Sequence, residues 1–120
     1  MTTQQYLVLH LTDSTGSKLA PGEDRRMLET WAEEGIEAGT VGLGSVVAGR
    51  DRAKSVIVRD GRTIVTDGPF PEFKEWFAGY DVLEAESIEE AAAYMAKHPT
   101  ATAGRVLILP TVELSWEGED

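Results

Sequence analysis

TDGPFPEFKEWFAGYDVLEA, residues 66–85, is the stretch whose reading decides the fold. Asp67-Gly68-Pro69-Phe70 reads as a tight turn, and Pro69 and Pro71 break any strand pattern, which makes 67–72 a loop. Glu72, Lys74 and Glu75 follow at close range. Gly79-Tyr80 then opens an apolar strand that runs to Ala85. Charge held on a tight turn between two strands forms a ligand-facing edge, so Asp67, Glu72 and Lys74 are candidate ligand-binding residues. Asp67 also has a purely structural use, accepting backbone N–H groups of its own turn.

Working outward, Ser55 to Arg59 and Arg62 to Thr66 are β-branched runs joined by Asp60-Gly61, a strong two-residue hairpin signal. Further upstream, 39–49 is glycine-rich and reads as a loop followed by a short strand. Pro21 can open a helix, with Glu23 and Asp24 in the first turn, where the dipole favours them. Met27, Leu28 and Trp31 share one face, and Gly35 suits the position just past the helix end, which places that end near Glu34. Tyr6 to Leu11 is a first strand, apolar on both faces except for His10. Downstream, Ser87-Ile88-Glu89-Glu90 is a capping box opening a second helix with Ala91, Ala92 and Met95 on its stripe. Lys97, His98 and Pro99 end it, and Arg105 to Leu109 is the last strand.

The order is βα, a hairpin region, then βαβ. It predicts an α+β, ferredoxin-like fold: a mainly antiparallel sheet with two helices on one face. One domain over 1–115 and an acidic tail at 116–120 account for the 120 residues. Tyr6, Val8, Val56 and Val58 are expected on the sheet face away from the helices, and a second copy of the chain is the simplest cover for it.

Composition excludes several functions. There is no cysteine, which removes disulfides, zinc–thiolate sites and thiol nucleophiles. Eleven Lys and Arg face twenty-one Asp and Glu, a net charge of −10 that repels phosphate backbones and anionic lipid. Neither nucleic acid nor a membrane is an expected partner. The basic run Arg50, Arg52, Lys54, Arg59 and Arg62 reads as a solvated hairpin. MTTQQYLVLHL has neither a basic leader nor a bilayer-length span, so a cytoplasmic location is expected. No cofactor is expected. Nucleotide fingerprints are missing, and the two histidines lack a metal-binding spacing.

Asp67-Gly68-Pro69-Phe70, Glu72, Lys74-Glu75, Gly79-Tyr80, Glu84-Ala85, Glu90-Ala91, His98-Pro99, Gly104 and Pro110 together resemble the DGPF branch of the YCII-related proteins. The resemblance implies a dimeric α/β barrel, two ferredoxin-like sheets facing each other, with a cleft between sheet and helices. It also implies a small enzyme or ligand binder, with a functional link to an extracytoplasmic-function sigma factor. In the YCII branch a His–Asp pair has been proposed as catalytic. There the histidine lies in the first turn of helix one and the aspartate just before the proline that ends helix two. Here Asp24 and His98 stand at those places, as though the two types were exchanged.

His98, Asp24 and His10 are therefore the candidate catalytic residues. His98 or His10 would act as base, and Asp24 or Asp67 would orient it, in a cofactor-free proton transfer of isomerase or lyase type. A non-catalytic ligand-binding or regulatory module is the alternative. Each residue also has an ordinary use: Asp24 at a helix N-terminus, His98 at a helix C-terminus, His10 as a hydrogen-bonded core histidine. If Asp24 met His98, the carboxylate and the helix end would both raise the imidazole pKa.

Overall fold

The computed structural model describes residues 2–68 and 74–113. The expected Glu72 site and the acidic tail lie outside the described residues. The described residues form six strands and three α-helices: β1 (Gln4–Leu11), α1 (Glu23–Ala38), β2 (Val41–Val46), β3 (Lys54–Arg59), β4 (Arg62–Asp67), β5 (Phe77–Ala85), α2 (Ile88–Met95), α3 (Pro99–Ala103) and β6 (Arg105–Pro110). A single 3₁₀ turn occupies Arg50–Arg52. The main sheet is antiparallel with order β2-β5-β1-β6. That order is compatible with the ferredoxin-like plan. The hairpin β3-β4 forms a sheet of its own.

Local chemistry explains most boundaries. Asp60 and Gly61 both take positive φ, 52° and 72°, the type I′ geometry that matches the twist of a two-residue hairpin. The Ser87 hydroxyl accepts the Glu90 N–H at 3.1 Å and caps α2. Helix α1 starts at Glu23 rather than Pro21, after Gly22 in the left-handed region at φ 81°. It also passes through Gly35 instead of stopping before it. A side chain at Gly35 would strike the Tyr94 hydroxyl, so this glycine permits the helix to pack closely, and Gly39 at φ 73° ends it. The third helix was not expected. Pro99 begins α3, because a proline that cannot continue one helix is well suited to the first turn of the next.

The sheet faces are assigned differently from the sequence expectation. Tyr6 and Val8 are 4% and 0% exposed, in the core with Trp31, Leu83, Ala91 and Met95. They lie under the helices rather than on the opposite face. A strand apolar on both sides carries no alternation to mark its inward side, and that is why the reading failed there. Leu7 and Leu9 take the other face, opposite Leu109 and Leu107 of β6. Val56 and Val58 stand apart on the hairpin, 62% and 57% exposed. Full burial of side chains such as Val8 and Leu83 contributes about 1.5–3 kcal/mol each to the core. Among the described residues no helix is long and apolar enough to cross a membrane.

Candidate functional site

The inward face of β1 continues from Tyr6 and Val8 to His10, so period two places a histidine in the core. His10 lies opposite Gly79 of β5, and Val8 lies opposite Asp81. Asp81 is thus the diagonal neighbour of His10 on the same face. His10 Nε2 and Asp81 Oδ2 are 2.6 Å apart, a short charge-assisted hydrogen bond. On the other side of β5, Gly44 of β2 pairs with Asp81, and any side chain there would strike the carboxylate. Gly44, in the Gly42-Leu43-Gly44 run that is unremarkable in sequence, makes room for this acid.

His98 reaches the same place from the helical layer. It joins α2 to α3: its backbone N–H donates to Met95 O at 3.0 Å, and its ring Nδ1 accepts the Thr100 N–H at 3.1 Å. Its ring centroid is 4.3 Å from that of His10 and 4.8 Å from that of Trp31, whose ring meets it edge-on. Trp31 in turn stacks on Tyr94 at 4.9 Å, and the Tyr94 hydroxyl donates to the Trp31 carbonyl. Burial and the adjacent His10 push the His98 pKa down to about 4, against a smaller upward pull from Asp81. The ring is neutral at physiological pH. Burial, with negative charge from Glu34 and Asp81, likewise raises the Tyr94 pKa and keeps its hydroxyl protonated.

His10, Asp81, His98 and Trp31 border a cavity of about 270 Å³, whose lining residues also include Leu28 and Val46. It shares Leu28, Ala78, His98 and Thr100 with a larger open cleft bordered by Asp24, Lys74 and Glu75. Two polar atoms of cavity-lining residues, His10 Nδ1 and Trp31 Nε1, are buried and have no hydrogen-bond partner among the described residues. Buried polar groups are nearly always satisfied, and exceptions concentrate where a ligand or chemistry completes them. His10, Asp81 and His98 also offer three donor atoms within 4.8 Å of one another, the one such group among the described residues. Their hydrogen bonds do not suit a metal. The Thr100 N–H occupies the Nδ1 lone pair of His98, which leaves a proton on Nε2, and His10 Nε2 is taken up by Asp81.

A family model, the YCII-related domain, matches residues 18–115. The chain belongs to the YCII-related family. It is also 32% identical over 90 residues to an uncharacterised protein of Rhizobium meliloti (strain 1021), covering 72% of this chain and 73% of the relative. The family match begins after β1, so His10 precedes it, whereas Asp81 and His98 fall within it.

In this YCII-related chain the expected site residues are distributed unevenly. His10 and His98 meet. Asp24 is exposed on the first turn of α1, its Oδ1 accepting the Arg25 N–H at 2.8 Å, at the border of the open cleft that His98 also lines. Burial and His10 lower the His98 pKa and Asp81 opposes them, so it moves down, opposite to the shift expected if Asp24 met it. The helix-end dipole loses to burial because His98 has left α2 and caps α3. Asp67 forms an exposed ion pair with Lys54 across the hairpin. Lys74 borders the open cleft. Asp81 is the residue that sequence reasoning missed. The available signal was an acid inside an apolar strand, which needs a buried partner, and His10 posed the same demand in β1.

Proposed function

We propose that this protein is a cofactor-free enzyme of isomerase or lyase type that moves a proton on a small organic acid. His10 is the base, oriented through Nε2 by Asp81, and the His10 Nδ1 lone pair receives the proton. The observation that carries this reading is the combination at His10: one ring nitrogen held at 2.6 Å by a carboxylate, the other buried without a partner. A carboxylate on the far nitrogen stabilises the imidazolium formed on proton uptake. The cavity walls of Leu28 and Trp31 suit the apolar part of a small ligand.

Solvent-deuterium uptake tests this reading directly. A panel of small 2-oxo acids is incubated with the protein in D₂O, and loss of the C3 proton signal is followed by NMR. Exchange by wild type, reduced about 10²–10⁴-fold in His10→Leu, is the expected result. Ligand-induced chemical-shift changes without any exchange would favour the alternative, a non-catalytic regulatory module of DGPF type linked to an extracytoplasmic-function sigma factor.

The working form we infer is a homodimer, arranged as the dimeric barrel that the resemblance implies. Support comes from apolar surface that one copy leaves open: Leu107 and Leu109 on the outer sheet face, and Val56, Val58, Ile64 and Val65 on the hairpin. An isolated two-stranded ribbon has little stability of its own in water. Light scattering should give twice the chain mass of 13.1 kDa at micromolar concentration, and a persistent monomer at high concentration would refute it.

A further inference from the structure

The two histidines of the site are held in opposite ways, and the difference assigns them different work. His10 has its Nε2 engaged and its Nδ1 unpartnered. In His98 the Nδ1 lone pair accepts the Thr100 N–H, so a neutral ring must carry its proton on Nε2. No hydrogen bond among the described residues takes up that N–H, and the ring borders both the inner cavity and the open cleft. We propose that His98 forms a carbonyl-binding subsite: its Nε2–H is a fixed donor to a carbonyl or carboxyl oxygen of the ligand.

The inference rests on the proton-transfer reading and names its substrate class, small molecules with a C–H bond next to a carbonyl. In turnover, His10 Nδ1 takes the α-proton. The C–H electron pair becomes the C=C bond, and the carbonyl π pair moves onto oxygen. The enolate oxygen keeps the hydrogen bond from His98 Nε2–H, and no proton is lost by His98. Return of the proton from His10 to carbon, at the same or a conjugated position, restores the enzyme and gives back the starting carbonyl compound or its isomer, with unchanged net charge. A neutral imidazole suits this task, because its proton is closer in acidity to an enol than that of an imidazolium, and it starts each cycle in the same state. Burial, which lowers the His98 pKa to about 4, keeps it in that state throughout the neutral range. Trp31, edge-on to His98, holds the ring from the side.

Two measurements test the subsite separately from the base. Long-range ¹H–¹⁵N spectra of the wild-type protein between pH 8 and 6 should show His98 neutral throughout, with Nε2 protonated and Nδ1 bare. An Nδ1–H tautomer, or imidazolium formation above pH 6, would overturn the assignment and leave the His10–Asp81 base untouched. The second measurement is deuterium uptake at C3 of 2-oxobutanoate. Loss of a single oxyanion donor costs about 10²–10³-fold, so His98→Leu should fall by that factor. His98→Gln should recover most of it, since its amide can accept from Thr100 and still donate. Equal rates in His98→Leu and wild type would remove His98 from the reaction. Absence of exchange in wild type would instead overturn the proton-transfer reading together with this substrate class.

Discussion

The two faces of the central sheet invert the usual arrangement of polarity. The helix-covered face buries His10 beside His98 and half-buries Asp81, next to a core that includes Tyr6, Val8, Trp31, Leu83 and Met95. The uncovered face and the hairpin present Leu107, Leu109, Val56 and Val58 to solvent. Placing imidazoles and a carboxylate in a core costs desolvation, and placing valines in water forgoes burial. Neither helps a solitary chain to fold. Each becomes explicable if the inner face serves a ligand and the outer one a second copy. Both departures from the hydrophobic pattern stand out more clearly than any motif does.

Three perturbations probe this contrast, from large to small. Leu83 is fully buried on the inner face, and Leu83→Ala should cost about 2–5 kcal/mol in urea unfolding. A cost under 1 kcal/mol would mean that the inner face is not the core. The next perturbation is pH. His98 has a folded pKa near 4, below its unfolded value. Its contribution to stability is therefore present above the unfolded pKa of about 6.5 and is lost as pH falls from there toward 4. Stability at pH 5.5 should drop more, relative to pH 7.5, in wild type than in His98→Gln. Identical drops would mean that the ring is not buried neutral. The smallest effect is expected on the hairpin, where Gly61→Val opposes φ 72° and should cost about 1–2 kcal/mol per copy. An unchanged melting temperature would argue against the type I′ turn.

Much of the fold was legible in the residues. Asp60-Gly61 signalled the hairpin turn, Ser87 the start of α2, and the strand and helix order the antiparallel α+β plan, because each depends on neighbours a few positions apart. The site was legible only in part. His10 and His98 stood out as the two histidines, yet Asp81 is 71 positions from His10, and it was read as one residue of an apolar strand. Its role follows from the β1–β5 register, which brings it diagonal to His10, and local pattern does not specify register. The downward shift of His98 was not legible for a related reason. A helix C-terminus was visible in sequence, whereas the turn into α3 that buries the ring against His10 and Trp31 was not.

The central claim is that His10 and Asp81 are retained for proton transfer and not for the fold. A variant carrying both His10→Leu and Asp81→Val tests it, with urea unfolding and 2-oxobutanoate deuterium uptake measured on the same sample. Replacing both partners of a hydrogen-bonded pair in a core by apolar residues of similar shape can be nearly neutral or stabilising. The account predicts a variant at least as stable as wild type that no longer exchanges the probe. A variant that loses several kcal/mol of stability while exchanging at the wild-type rate would contradict it.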